Sequence, residues 1–281
     1  MRIAITGGAG GLGSVLSALA VEQGHTVIAI DRPGAERESA DTGAEQVRLD
    51  ITSYDELARA VDGCDALVHL AAYTHPRGRP DHEVHNDNVV GSYNALSAGV
   101  HAGIRRICLA SSVNAIGGFF SERPRYDYFP VDEQHPGYPE DAYSLSKWIA
   151  ETQGAAMARR CQDLTIASLR LHFLVRDREH AGSVYENPPR IGIDNLWGYT
   201  SLGSAARACL LSLTAEFHGH EVFYVVAPET SADRPTLDLV GAHYPDVRVV
   251  RDLPGRASLY SSRKAQQVLG WVHDEPGPTS S

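Results

Sequence analysis

Residues Thr6-Gly7-Gly8-Ala9-Gly10-Gly11-Leu12-Gly13 constrain this chain more than any other stretch. They follow an apolar, β-prone run at residues 2–5 and precede residues 14–23, where Val15, Leu16, Leu19 and Ala20 recur with helical spacing. The pattern is strand, glycine turn, helix. Glycines at 7, 10 and 13 permit positive φ in the tight turn, close approach of a pyrophosphate to the backbone, and close helix–strand contact. The helix start offers unpaired N–H groups to phosphates, so a dinucleotide is expected there.

Beyond this first helix the chain continues to alternate strand and helix. Residues 26–30 read as a second strand ending in Asp31-Arg32, 18 residues past Gly13. A carboxylate there can accept hydrogen bonds from the adenosine ribose hydroxyls and would repel a 2′-phosphate, which favours NAD over NADP; Arg32 could instead hold that phosphate. Residues 45–49 form a third strand closed by Asp50-Ile51, with Asp50 placed to face an adenine. Ser53 then caps a helix through residue 61, with Glu56 at the capping-box position. Residues 66–70 are a wholly buried parallel strand by their apolar run, leading into the small pair Ala71-Ala72. The segment 75–85 holds His75, His82 and His85 but neither a metalloprotease pattern nor nearby cysteines, so these read as loop histidines and no metal site is expected. A helix over 86–102, a strand over 106–110, a strand over 165–169, a helix over 202–213 and a strand over 222–226 complete the series.

The fifth strand runs into Ser111-Ser112, and some thirty residues later comes Tyr143-Ser144-Leu145-Ser146-Lys147, near the start of a helix extending towards residue 160. Tyrosine and lysine four apart share a helix face, so the ammonium can lower the phenol's pKa and reach a ribose hydroxyl. Only two lysines occur in the 281 residues, Lys147 and Lys264, which gives the one inside this motif added weight. A tyrosine so tuned exchanges a proton with a substrate oxygen that a serine hydroxyl holds.

Charge and cysteine usage exclude other classes. A net charge of −10 argues against nucleic acid or an anionic membrane as a partner, since both need a clustered positive face. Cys64, Cys108, Cys161 and Cys209 are widely separated and read as reduced core thiols. No apolar run reaches the ~18 residues of a membrane helix, and the expected location is cytoplasmic.

Together these features resemble the extended short-chain dehydrogenase/reductase family, the NAD-dependent epimerase/dehydratase group. The resemblance rests on Thr6 to Gly13, Asp31-Arg32, Asp50-Ile51, His69-Leu70-Ala71-Ala72, Asn88-Val89-Val90-Gly91, Ser111-Ser112, Tyr143 to Lys147, Leu169-Arg170 and Leu269-Gly270-Trp271. It implies an α/β fold, a Rossmann-type doubly wound parallel sheet of about seven strands. An NAD-binding domain is expected over residues 1–170, and a small substrate lobe with the closing strand over 171–281. It implies Ser112, Tyr143 and Lys147 as the catalytic set, with Ser111 the lesser member of the serine pair. Cofactor contacts are implied for Gly7, Gly10, Gly11, Leu12, Gly13, Asp31 and Arg32. Further along they are implied for Asp50, Ile51, Leu70, Ala71, Ala72, Asn88, Tyr143, Lys147 and His172. The resemblance also implies a homodimer through the helices at 86–102 and 142–160.

At the substrate end the resemblance thins. Where many relatives carry an Arg and Asp pair, this chain has Tyr199-Thr200-Ser201-Leu202-Gly203-Ser204, which argues against a nucleotide-sugar handle. The short lobe is similar to that of uronate dehydrogenases, although Val113-Asn114 stands where Asn-His is usual. Substrate contacts are expected from Tyr73, Ser112, Val113, Asn114, Phe173 and Arg176, with Arg176, Arg178 and Arg190 as candidates for a carboxylate. The aromatic-rich residues 117–136 form either a lid or a flap packed on the lobe. The expected activity is oxidation of a sugar, sugar acid or similar polyol, with a sugar-nucleotide epimerase or dehydratase, or a catalytically silent NAD sensor, as alternatives.

Overall fold

The computed structural model describes residues 1–34 and 42–274. Residues 275–281, the end of the expected lobe, lie outside them. Seven parallel strands form one sheet: β1 (Arg2–Thr6), β2 (Thr26–Asp31), β3 (Glu45–Arg48), β4 (Ala66–His69), β5 (Arg106–Ser112), β6 (Thr165–Leu171) and β7 (Gly219–Val225). Their spatial order is β7-β6-β5-β4-β1-β2-β3, which reverses direction beside β1. In such a sheet a ligand crosses the carboxyl edge at that reversal. The inner strands β1, β2 and β4 read as near-continuous apolar runs because both faces are covered, while the edge strand β3 (EQVR) is largely exposed.

On one face, α1 (Gly11–Glu22) and α7 (Leu202–Thr214) bury Leu12, Leu16, Cys209 and Leu213 against Ile3, Ile5 and Phe223. On the other, α2 (Tyr54–Ala60), α3 (Asp81–His101) and α4 (Ala142–Arg160) bury Leu57, Leu96 and Met157 against Ile28, Leu67 and Ile107. A third cluster, with Tyr126, Phe129, Tyr199, Tyr224 and Tyr260, lies at the lobe. The lobe also holds α5 (Arg178–Tyr185), α6 (Pro189–Asp194) and α8 (Thr236–His243). Near the end of the chain, Trp271 is buried and donates its indole N–H to the Ser204 carbonyl, while Lys264 pairs with Glu221.

The structure departs from the sequence reading in several places. The helix expected from residue 86 begins at Asp81, because Pro80 sets its entry and Asp81 and Glu83 suit its first turn. His82 and His85 are therefore helical, and only His75 is in the loop. Ser53 occupies the N-cap position of α2 but its side chain accepts no hydrogen bond. Asp50 instead closes that corner, Oδ1 accepting from the Thr52 N–H and hydroxyl at 2.9 and 2.8 Å. Strands β5 and β6 each continue two residues further than the apolar run indicated, carrying Ser112 and Leu171 into the sheet register.

Candidate active site

The turn between β1 and α1 is built for close approach. Gly7 sits at φ +76°, and a Cβ on it would lie 2.8 Å from the Ala71 nitrogen. A Cβ on Gly13 would overlap the Gly7 carbonyl oxygen and lie 2.8 Å from Gly8 Cα. Gly10 caps α1 without a side chain, which leaves the helix entrance clear. The Gly7 N–H donates to the Ile30 carbonyl at 2.8 Å and the Ala9 N–H donates to Asp31 Oδ2 at 2.9 Å. Asp31 Oδ1 accepts from the Arg32 N–H at 2.8 Å. Two backbone donors thus fix this carboxylate at the strand end, beside a glycine cradle a side chain would fill. That combination fits the adenosine and pyrophosphate of a dinucleotide.

The cradle opens into a cleft of about 1380 Å³. Gly7, Gly10, Gly11, Leu12, Gly13, Asp31, Arg32, Asp50 and Ile51 border one end, and Leu70, Ala71, Ala72 and Tyr73 continue the wall. Ser112, Val113, Asn114, Tyr143, Lys147, His172 and Phe173 border it as well.

At the inner end of the cleft, β5 delivers Ser112, whose Oγ accepts from the Asn114 N–H at 3.1 Å and caps a short 3₁₀ turn. Asp141 caps α4 by accepting from the Ser144 N–H, which sets Tyr143 and Lys147 one turn apart on the buried face. Lys147 Nζ donates to the Ala110 carbonyl at 2.8 Å and lies 5.8 Å from the Tyr143 ring centroid. Burial lowers Lys147 to about 8, opposed by the charge of Glu151. The depressed tyrosine expected from the sequence is not found in the protein alone. Burial pushes Tyr143 up to about 12, with the charge of Asp141 adding to the rise and a hydrogen bond with Ser112 opposing it, and the Lys147 ammonium donates to Ala110.

Behind this set lies a buried ion pair. Arg170 donates through Nε and Nη2 to Glu151 at 2.9 and 2.8 Å, and through Nη1 to the Tyr224 hydroxyl at 3.1 Å. Ser111 donates to the same carboxylate at 2.5 Å, so its hydroxyl is committed to structure. His69, hydrogen-bonded to the Thr6 hydroxyl at 2.8 Å, is lowered to about 3 by burial and by the Lys147 charge and stays neutral.

Several of the expected site residues have their side chains engaged within the protein. Asn88 borders the cleft, but its amide donates to the Tyr73 carbonyl and Ser146 hydroxyl and accepts from the Tyr73 N–H; it pins the loop after β4. His172 has both nitrogens occupied, Nδ1 accepting from the Phe173 N–H at 2.6 Å and Nε2 donating to the Asn195 carbonyl at 3.0 Å. Burial lowers it to about 3, so it is a neutral strut. Arg176 is corrected outright: it does not border the cleft, its side chain is 75% exposed, and it pairs with Asp177. Arg178 and Arg190 are likewise outside, tied to Asp233 and Asp194.

The aromatic-rich segment divides. Tyr126 and Phe129 pack into the lobe core as a flap does, while Phe119 and Phe120 border the cleft, and Phe120 meets the Tyr143 ring edge-on at 5.6 Å. Asn114 Oδ1 accepts from the Phe119 N–H at 3.0 Å and ties the flap to the serine turn. Arg77, His180, Tyr185 and Asn195 also border the cleft. No local motif marks them, because their loops and the lobe are brought to the sheet edge only by tertiary packing.

Fold and cleft define a Rossmann protein that holds a dinucleotide across its sheet edge. The chain belongs to the NAD-dependent epimerase/dehydratase family, whose sequence pattern matches residues 3–185, and it is an NAD-dependent enzyme of that family. Its relatives include an L-arabinose 1-dehydrogenase (NAD(P)(+)) of Haloferax volcanii, 34% identical over 62% of this chain and 67% of that one. A uronate dehydrogenase of Pseudomonas syringae is 28% identical over 80% and 74%. A protein of Methanocaldococcus jannaschii provisionally assigned as a UDP-glucose 4-epimerase is 32% identical over 96% and 98%. Among solved structures, a UDP-glucose 4-epimerase of Thermotoga maritima with UDP-glucose aligns at a TM-score of 0.73. It is 23% identical and covers 99% of this chain and 94% of its own. MoeE5 in complex with UDP-glucuronic acid and NAD also aligns at 0.73, with 24% identity and 98% and 95% coverage. These structural likenesses establish the fold.

Proposed function

We propose that this enzyme oxidises a hydroxyl of a small sugar, sugar acid or similar polyol, with NAD leaving as NADH. The observation that carries the proposal is the meeting of Tyr143, Lys147 and Ser112 at the inner end of the cleft, beside a glycine cradle and a fixed Asp31. Gly7, Gly10 and Gly13 would hold the pyrophosphate and Asp31 the adenosine ribose, and the bound nicotinamide supplies a hydride acceptor. Ser112 orients the substrate oxygen. Tyr143 receives its proton as the general base. Lys147, a buried cation one turn away, is the group assigned to stabilise the phenolate once substrate and cofactor occupy the cleft, since in the protein alone its ammonium is held by the Ala110 carbonyl. Asp31 favours NAD over NADP.

A small substrate is favoured by Tyr199 to Ser204, which offers no arginine for a nucleotide. There Thr200 and Ser201 pair with Leu174 and Val175 in a short ladder, and Ser201 caps α7. An epimerase is the second reading, supported by the nearly full-length match to the Methanocaldococcus protein. The two separate on where the hydride ends. With excess NAD and a panel of sugar acids, aldoses and sugar nucleotides, NADH absorbance is expected to grow in proportion to product seen by NMR. Conversion of a sugar nucleotide to its epimer without NADH release overturns the proposal.

A homodimer forms part of the same reading. Val90 and Tyr93 on α3, and Leu145 and Trp148 on α4, are large apolar side chains left between 37% and 49% exposed on two helices that pack together, which supports a two-fold four-helix interface.

A further inference from the structure

Among the described residues, three lysine or arginine side chains border the cleft: Arg32, Lys147 and Arg77. Arg32 stands beside Asp31 at the adenosine end, and Lys147 is buried with its ammonium on the Ala110 carbonyl. Arg77 differs from both. It lies in the loop after β4, its N–H donating to His75 Nδ1 at 3.2 Å, and its guanidinium carbon is 5.4 Å from the Phe119 ring centroid and 6.0 Å from that of Phe120. Phe120 in turn abuts the Tyr143 ring. Arg77 forms no ion pair among the described residues, with Asp87, the nearest cleft-lining carboxylate in sequence, included.

Resting on the oxidation reading above, we propose that Arg77, seated on Phe119 and Phe120, is the specificity residue that selects a substrate carrying a carboxylate. Contact with aromatic rings does not use up a guanidinium's N–H donors, and a guanidinium matches a carboxylate with two parallel hydrogen bonds. Phe120 adjoins both Arg77 and Tyr143 in the same cleft, and the proposed substrate places a hydroxyl at Tyr143 and the carboxylate of the same molecule at Arg77. The arginines first suggested by sequence, Arg176, Arg178 and Arg190, are each neutralised by an aspartate outside the cleft. Arg77 is exposed, so its replacement leaves the core intact.

The test reads binding separately from turnover. A Tyr143→Phe protein in the presence of NAD is titrated by calorimetry with a hexuronic acid and with the matching neutral hexose, with and without Arg77→Gln or Arg77→Lys. The hexuronate is expected to bind more tightly than the hexose. Arg77→Gln should weaken the hexuronate on the order of 10- to 100-fold, leave the hexose unchanged, and be partly rescued by lysine. Equal binding of acid and hexose, no hexuronate binding, or hexuronate affinity untouched by Arg77→Gln overturns the proposal. NADH formation by the unaltered enzyme is read in parallel. Oxidation of the neutral hexose without any advantage from charge would leave the oxidation reading standing and remove the role of Arg77.

Discussion

Replacing Glu151 by alanine is expected to cost about 3–5 kcal/mol of folding stability, the usual penalty for stranding one member of a buried ion pair. The side chains of Glu151 and Arg170 are 11% and 9% exposed, and the carboxylate accepts two bonds from Arg170 and one from Ser111. Lys147 lies one helical turn before Glu151, so the native cluster holds two buried cations and one anion. Without the anion, two cations remain in low dielectric, and Arg170 keeps only the Tyr224 hydroxyl as a side-chain partner. Lys147, already lowered to about 8 with Glu151 opposing the shift, should fall further and lose its charge closer to neutral pH. A depressed lysine leaves the folded state with fewer protons than the unfolded one between the folded value and the ordinary 10.5. Its penalty is therefore full below the folded pKa and is relieved as pH rises towards 10.5. In Glu151→Ala that relief begins at lower pH. Urea unfolding of Glu151→Met, Arg170→Met and Glu151→Met/Arg170→Met gives the cycle, with Glu151→Ala measured beside it, and the double variant should be more stable than either single one. A loss below about 1 kcal/mol in Glu151→Ala, or a double variant as unstable as the two losses added, would refute the reasoning.

The same geometry carries two further outcomes. Titrated into the apo protein, NADP should bind at least roughly tenfold more weakly than NAD, because Asp31 is fixed at the ribose position; equal or tighter binding would mean that Arg32 governs the pocket. Light scattering at micromolar concentration should give twice the chain mass, and Trp148→Glu should halve it; a monomer for the unaltered protein would remove the interface on α3 and α4.

The parts of the molecule governed by short-range rules were legible in the sequence. Gly7 and Gly13 are demanded by backbone contacts within the turn and near the end of β4, so their spacing between an apolar strand and a periodic helix announced the cradle. The inner strands announced themselves as apolar runs, because a parallel sheet buries both faces there, whereas the edge strand β3 is polar and largely exposed. Tyr143 and Lys147 share a helix face by periodicity. What escaped depended on distant partners. Asn88 and His172 border the cleft, but the tertiary neighbours that take up their side-chain hydrogen bonds could not be read from the sequence. Arg176 lay in the right segment and points to solvent, whereas Arg77 gained its place from two phenylalanines more than forty residues away. The raised pKa of Tyr143 could not be read from a Tyr-Lys spacing either, since burial raises it and the Ala110 carbonyl takes the ammonium.

The central claim is that the Tyr143 hydroxyl moves the proton in the reaction, and Tyr143→Phe tests it most directly because the ring and its contact with Phe120 are retained. Steady-state NADH formation on the best substrate should fall by about 10²–10⁴-fold while NAD binds with unchanged affinity. A variant that binds NAD normally and turns over at close to the rate of the unaltered enzyme would contradict the account.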